Sequence, residues 1–469
     1  MTHKRLIQIQ LIVALAAATS VSAQRALPFS DDALVLGFGQ LRTGIHGSWS
    51  FYDQVYTDDG KVQPLGHGLS FNSAGSAQFG ALSASETAVR AAAAQSGFQL
   101  SLGTTAVSAA HRTGSTALLL DVGLPGRLMI SVEVPFVRVE NTISIRANDD
   151  TNSANVGINP ASTGSAFFAA DTALANQIAR AGTALNAQLT ACMGSTSTSC
   201  AALNARRSEA QNLVASSGTA SAGILALASA PFAPLAGSAA QAAITTRVTA
   251  LASAYREFGI NSITGTTTAA AGVPITAAQY RDFLERELGA LPTYKTLTRL
   301  GDISAALKFR IADGGTFRAA AFGRVFFPTG GKASPGEFFP LAAGDEFTRS
   351  EAGGIADLFI GRKASVTALA SAVALNATER RTGITASLTP RYALNPWILF
   401  GARMETRTLG DLSENKVGAG FSFSNLSSSD KGPRFPVEAS FFHSQTISGK
   451  GLQPRIFSDE FRIRIFARR

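Results

Sequence analysis

The chain has 469 residues, of which only 16% are charged, with a net charge of +9 and a mean hydropathy of +0.14. A soluble protein of this size carries nearer a quarter charged residues, roughly, yet after residue 24 no run reaches the ~18 apolar residues a membrane helix needs. Lys and Arg are scattered singly rather than gathered into a basic patch, which argues against a nucleic-acid partner.

In chain order, residues 1–23 read as a signal peptide. Lys4 and Arg5 form a basic start, Leu6 to Ala18 an apolar run, and Val21-Ser22-Ala23 a small-residue cleavage site, so the mature chain is expected to begin at Gln24. An exported chain that is apolar on average but has no spanning helix suits a β-barrel, which hides its apolar residues in alternation. The period of two is explicit. Leu128, Ile130, Val132, Val134 and Phe136 share one face and Ser131 and Glu133 the other. In 303–311, Ile303, Ala305, Leu307, Phe309 and Ile311 alternate with Ser304, Lys308 and Arg310. Arg318 and Arg324 oppose Phe317, Ala319, Ala321 and Val325, and Arg403, Glu405 and Arg407 oppose Phe400, Ala402 and Met404. Lys416 opposes Val417, Ala419, Phe421 and Phe423, and Arg462 and Arg464 oppose Phe461, Ile463 and Ile465.

Candidate strands lie near 34–56, 62–72, 97–111, 115–124, 127–146, 299–311, 315–328, 353–363, 366–379, 382–393, 397–409, 414–425, 434–446 and 455–467. That gives about 14, in a range of about 12–16, with tight turns at 124–127, 312–315 and 394–397 alternating with long loops at 147–298 and 330–353. The weakest candidates are the second, eighth and ninth. Ser83 to Gln95 reads as a short helix on the periplasmic side.

The 147–298 insert reads as helical and, by strand parity, lies on the outer face. Ser238 with Gln241 and Thr276 with Gln279 are capping-box starts. They are followed by the stripes Ile244, Val248, Leu251, Tyr255, Phe258 and Tyr280, Phe283, Leu284, Leu288, with Gly289 as a stop. Asp171 is expected to cap a helix carrying Leu174, Ile178, Leu185 and Leu189, and Ser199 one running through Leu203 and Leu213. Cys192 and Cys200 lie in an exported chain with no histidine nearby, so a disulfide closing a helical hairpin is favoured over a zinc site.

The five histidines, His3, His46, His67, His111 and His443, are dispersed, and no HExxH, GxSxG or phosphate-loop pattern is present. Neither enzyme activity nor a cofactor nor a metal is expected, although a barrel could bring His and Ser together across strands.

The most distinctive local motif is Phe326-Phe327-Pro328-Thr329-Gly330-Gly331-Lys332, where proline and glycines end a strand and open a loop. With Leu300-Gly301-Asp302-Ile303 before it, Gly123-Leu124-Pro125-Gly126-Arg127-Leu128, and Val134-Pro135-Phe136-Val137, it resembles the outer-membrane barrels related to the long-chain fatty-acid channel and the channels of aromatic-degradation pathways. The resemblance covers the barrel segments and implies passive uptake. Three features depart from it. Phe466 is out of phase with Phe461, Ile463 and Ile465; the segment Arg25 to Ala33 looks too short for an N-terminal plug; and the helical insert has no counterpart.

The expectation is therefore an all-β antiparallel transmembrane barrel in the outer membrane of a Gram-negative cell: 24–146 and 299–469 as barrel, 147–298 as extracellular helical insert. Its function would be passive uptake of small hydrophobic or amphipathic solutes. Its other partners would be outer-membrane lipid, lipopolysaccharide and the barrel-assembly machinery. Lumen-lining candidates are Lys308, Arg310, Arg318, Arg324, Arg403, Glu405, Arg407, Lys416, Arg462 and Arg464, with interior salt bridging as the alternative role. The rival reading is a barrel-anchored surface or adhesion protein whose working part is the insert.

Overall fold

The computed structural model describes residues 29, 31–148, 153–160, 166–265, 272–288, 295–331, 342–376, 381–425 and 436–468. The signal-peptide reading of 1–23 and the helix stop at Gly289 lie outside these residues. The chain divides into two compact units, one of 1–65, 108–143 and 292–469, the other of 66–107 and 144–291.

The strands are β1 (Gln40–Tyr52), β2 (Gln54–Tyr56), β3 (Val62–Pro64), β4 (Thr105–Leu124), β5 (Leu128–Ala147), β6 (Val156–Ile158), β7 (Phe232–Pro234), β8 (Lys295–Leu300) and β9 (Ser304–Asp313). They continue with β10 (Phe317–Phe326), β11 (Arg349–Ile360), β12 (Ala364–Leu375), β13 (Arg381–Ala393), β14 (Ile398–Leu409), β15 (Leu412–Ser424), β16 (Val437–Lys450) and β17 (Phe457–Arg468). In the first unit, neighbours in sequence pair antiparallel from β9 through β17; β17 pairs with β1, β1 with β4, β4 with β5 and β5 with β9, which closes the ring at 12 strands. Closure leaves the ring without an edge, so each of its 12 strands has a partner on both sides. The thirteenth strand, β8, lies outside this count. It pairs with Phe136–Asn141 of β5, whereas β9 pairs with Leu128–Glu133. The break falls at Pro135, which has no N–H to give, and its carbonyl accepts from Gly301 N at 2.7 Å.

The expected count of about 14 is corrected to 12 for two local reasons. The candidate strand 62–72 reduces to β3 and a 3₁₀ turn at His67–Leu69. The candidates 97–111 and 115–124 are one strand, because β4 runs through Arg112-Thr113-Gly114 without turning and pairs with β1 from His111 to Val122. Gly114 there is not a turn glycine. It lies beside the Trp49 indole, 3.5 Å from where a Cβ would stand. The two weakly marked candidates at 353–363 and 366–379 are full strands, β11 and β12.

Alternation along the strands turns apolar side chains outward and polar ones inward. Ile130, Leu118, Phe309, Leu358, Ile384, Phe400, Met404 and Phe421 are exposed, while Asp121, Lys308, Arg318, Asp357, Arg391, Glu438 and Arg464 are buried. This inverts the arrangement of a water-soluble protein and matches a barrel that spans a membrane. The start of β1 and the end of β17 meet at one rim, Gln40 opposite Arg468. That rim also carries the tight turn Pro125–Arg127, where Gly126 sits at φ 75°.

A charge on the outer belt should therefore cost far more than one on the lumen face. Val132→Arg, about midway along the outward face between Leu128 and Arg138, is expected to destabilise the barrel by about 2–4 kcal/mol, and Ser131→Arg much less. Urea titration in lipid vesicles measures both; a reversed ranking would mean that the faces are assigned the wrong way round, and equal losses that the barrel reading itself is wrong.

The second unit holds α1 (Ser83–Ala93), α2 (Ala166–Ala191), α3 (Thr198–Ala205), α4 (Arg207–Ser229), α5 (Ala239–Glu257) and α6 (Ala277–Leu288), with the small β6–β7 ladder. The apolar stripes read from sequence are its core: Leu174, Ile178, Leu185, Leu189, Ile244, Val248, Leu251, Tyr255, Tyr280, Phe283 and Leu284 are buried. The Tyr255 hydroxyl donates to Ser217 at 2.7 Å, and burial pushes its phenol pKa up. Thr276 and Gln279 form the full reciprocal capping box. Ser238 caps Gln241, whose side chain reaches back to Gly237 N rather than to Ser238 N.

Three readings are corrected here. Asp171 lies inside α2 rather than capping it. The cap of the next helix is Ser197, not Ser199, and that helix breaks at Arg206 into α3 and α4. The helix near 83–95 does not stand apart from the insert. α1 packs against α4 and α5 in the same unit, so closely that a Cβ on Gly223 would stand 2.4 Å from Ala92 N. The two segments therefore share a side. The small residues Ala88, Ala92 and Gly223 allow this backbone approach, and strand parity could not show it because the strands assumed on either side of α1 were miscounted.

Cys192 and Cys200 are disulfide-bonded across the α2–α3 turn, with Cα atoms 5.1 Å apart. The enclosed loop is short, so its contribution is on the order of 2–3 kcal/mol. Cys192→Ser with Cys200→Ser should lower the protease resistance of α2–α4 and leave barrel unfolding unchanged; a shift in the barrel transition would contradict the separation of the two units.

Candidate functional site: the lumen and its N-terminal segment

The inward faces of the strands enclose a lumen, and the N-terminal segment occupies it. Phe29, Asp32, Ala33, Leu34, Val35 and Leu36 are all buried. The segment has two characters. Ala33 to Leu36 pack against the inward-facing Met129, Ala320, Phe322, Ile355 and Phe466. This explains the phase of Phe466: it points into the lumen while its neighbours point out.

The polar part is held from around the ring. The Arg324 guanidinium of β10 pairs with Asp31 and lies 3.9 Å from Glu351 of β11. Lys308 of β9 donates to the Asp32 carbonyl at 2.8 Å, and Ala33 N donates to Asp357 of β11 at 2.9 Å. The Asp32 carboxylate stands between Arg42 of β1 at 3.8 Å and Arg464 of β17 at 4.0 Å. Arg403 of β14 donates to the Phe29 carbonyl at 2.9 Å and to Glu460 at 2.6 Å. The Phe29 ring meets Phe442, centroid to centroid 5.5 Å, in space that Gly401 leaves open: a Cβ there would fall 2.5 Å from the Phe29 ring. Contacts from this many strands place the segment inside the ring.

The expectation that the N-terminus offers no plug is thus corrected. Residues 29–37 are enough, because nine extended residues reach about 30 Å.

Beside the segment a cavity of about 310 Å³ remains. Lys308, Arg324, Arg403, Glu405, Arg462 and Arg464 line it, together with Asp31, His46, Glu133 and Glu351. The other candidates face inward but lie outside it. Arg310 pairs with Asp313 at 2.8 Å, Arg318 stacks over Phe359 at 4.6 Å, Lys416 pairs with Glu414 at 2.9 Å, and Arg407 stands opposite Glu414 in the ladder. Most of these cations serve an ion pair, so interior salt bridging accounts for much of the lining. The basic half of the network is the half read from sequence. The acidic half, Asp31, Asp32, Asp121, Glu351, Asp357, Glu438 and Glu460, was missed, although register makes Arg324–Glu351, Arg318–Asp357 and Arg464–Glu438 cross-strand neighbours.

The histidines stay apart. His46 lies between Glu133 at 3.8 Å and Glu460 at 3.9 Å inside the barrel. His111 bonds Asn141 and Thr113, and His443 pairs with Asp459 at 2.8 Å on the outer face.

The two sequence motifs that looked most distinctive come together at the loop-side rim. Thr329 Oγ1 donates to Gly301 O at 2.7 Å and accepts from Ile303 N at 2.9 Å, while the Asp302 carboxylate accepts from Gly330 N and Asp345 N. They form a clasp over the β8–β9 break.

No family model and no curated protein matches the chain. Solved structures do. An outer membrane channel from Pseudomonas putida F1 is 9% identical, with 94% of this chain and 100% of that one covered and a TM-score of 0.39. The Pseudomonas putida toluene transporter TodX is 9% identical over 96% and 95% of the two chains, TM-score 0.26. The transport unit of the autotransporter AIDA-I from Escherichia coli is 5% identical over 97% of each, TM-score 0.32. With similarities this low, the chain's own residues carry the functional argument.

Proposed function

We propose that the protein is a passive channel of the outer membrane that admits small hydrophobic or amphipathic molecules. The observation that supports this best is the two-sided lining of the lumen. Charged groups line the cavity, while Met129, Phe322, Ile355 and Phe466 turn an apolar patch inward where an outer-membrane barrel usually presents polar residues. A lumen with both surfaces offers an amphipathic solute a path, with its apolar part on the patch and its polar end among the guanidinium groups. The N-terminal segment lies on that path, held among the described residues by bonds between its main chain or carboxylates and lumen side chains rather than by a ladder, so solute passage requires it to shift. The short-turn rim with both chain ends faces the periplasm on this reading, and the 147–298 segment belongs to the cell exterior. Insertion would depend on the barrel-assembly machinery.

The test is flux in proteoliposomes. A small amphipathic solute should equilibrate faster with the protein than without it, and faster than a sugar of the same mass. Equal rates for all solutes would remove the proposal.

The occupied lumen favours one second reading, a barrel that only anchors the helical segment at the cell surface. On that reading no solute crosses even when the N-terminal segment is cut away.

A further inference from the structure

The outer wall carries a second concave feature. A groove of about 580 Å³ runs over β1, β4, β5 and β17, floored by Gly114 and walled by Trp49, Phe136 and Phe457, with Arg112 and Arg138 along it. Trp49 and Phe136 are exposed on the face that the membrane covers. Gly114 keeps the floor low.

Height decides what this groove meets. From Leu128 at the short-turn rim to Arg138, a tilted strand climbs about 25 Å, the thickness of a barrel's apolar band. The outward residues of β5 are Ile130, Val132, Val134 and Phe136 below that level and Arg138 and Glu140 above it. On β4, read downward, Arg112 gives way to Leu118 and Leu120. Phe136 thus lies below Arg138 on β5, and Trp49, opposite Gly114, lies one outward position below the rung that Arg112 shares with Phe51 and Phe457, so each arginine stands nearer the headgroups than the aromatic beneath it.

The charges there are incompletely matched. Asp459 is engaged by His443 at 2.8 Å. Arg138 is 65% exposed and lies 3.7 Å from Glu140, beyond a hydrogen bond. Arg112 has the Phe51 ring at 5.8 Å and, among the described residues, neither an ion pair nor a hydrogen bond. Two arginines with unspent donors at headgroup height, above an aromatic slot, are complementary to a phosphate with an acyl chain beneath it.

We propose that this groove binds one molecule of lipopolysaccharide, with a phosphate of its lipid moiety between Arg112 and Arg138 and an acyl chain along Trp49 and Phe136. The outer leaflet is where that lipid resides, and the groove opens at that leaflet if the short-turn rim is periplasmic.

The experiment is native mass spectrometry of the full chain in detergent, titrated with purified lipopolysaccharide. Arg112→Gln with Arg138→Gln should weaken retention roughly tenfold or more. Dephosphorylated lipopolysaccharide should bind the unaltered protein as weakly as intact lipid binds the variant, an arm that needs no mutation. Phosphatidylglycerol, with a single phosphodiester charge, should bind more weakly than intact lipopolysaccharide, and equal binding would overturn the choice of lipid. Lys363→Gln, a cation on the opposite rim, should change nothing. Equal retention of intact and dephosphorylated lipid, or an equal loss with Lys363→Gln, would overturn the proposal. Heat-modifiable gel mobility reports on folding separately. Solute flux is measured apart from it, so a barrel that binds the lipid without conducting would refute the channel and not the groove.

Discussion

Deleting residues 29–36 should turn a closed barrel into an open one. In the intact chain the segment is held by Arg324, Lys308, Arg403, Asp357, Arg42 and Arg464, yet among the described residues it forms no ladder with any strand, so the ring does not need it for its own hydrogen bonds. An open state populated at about 10% or less in the intact protein would become the only state, raising single-channel current or solute flux roughly tenfold or more. The cost falls on the network, because Arg324 loses Asp31 while keeping Glu351, and Arg464 loses Asp32 while keeping Glu438. Folding should survive, since the four arginines each retain one carboxylate, Arg42 with Asp121 and Arg403 with Glu460 included, and only Lys308 loses its contact to the segment. Planar-bilayer recordings of both proteins decide the matter. Unchanged, negligible current after deletion would sink the channel reading and leave the anchor.

The barrel was legible where alternation is strong and turns are short. Lys308 and Arg310 against Leu307, Phe309 and Ile311 fix the two faces of β9, and the turn at Pro125-Gly126 fixes the β4–β5 hairpin. It was illegible where one residue type serves two purposes. The stretch Arg112-Thr113-Gly114 reads as a gap between two strands and is instead continuous strand, because its pairing with Ser50, Phe51 and Trp49 belongs to the neighbouring strand and not to local sequence. The excursion between β1 and β4 contains strand-like composition but contributes its helix to another unit, because what α1 packs against, Gly223, lies far along the chain.

The site was half legible for a related reason. Inward arginines announce themselves by standing in an apolar alternation, and all the cations read that way do face inward. Their carboxylate partners are non-local. Asp31 and Asp32 lie in a segment with no periodicity, so nothing in their neighbourhood marks them as lumen residues. The one sequence signal that could have exposed the segment was Phe466. A large aromatic on the inward phase of the last strand needs an apolar partner inside the barrel, and Leu34 to Leu36 supply it.

Glu438→Ala should be among the most damaging single changes in the barrel. Arg464 is buried at 4% exposure and Glu438 at 1%. Arg464 Nη2 donates to both carboxylate oxygens, at 2.8 and 2.9 Å. Removing the carboxylate takes these charge-assisted bonds from the guanidinium, and Asp32 at 4.0 Å is too far to replace them with a hydrogen bond. A buried charge deprived of its partner costs about 3–5 kcal/mol. Glu438→Gln keeps the shape and one acceptor and should cost less. The exposed pair Arg206–Glu209 of the helical unit is the control, since Glu209→Ala breaks a contact worth about 1 kcal/mol or less. Urea titrations of the folded, fast-migrating form on unheated gels rank the three. If Glu438→Ala unfolds no earlier than Glu209→Ala, water reaches Arg464 freely, and the lumen is wetter at that level than the packing of the N-terminal segment allows.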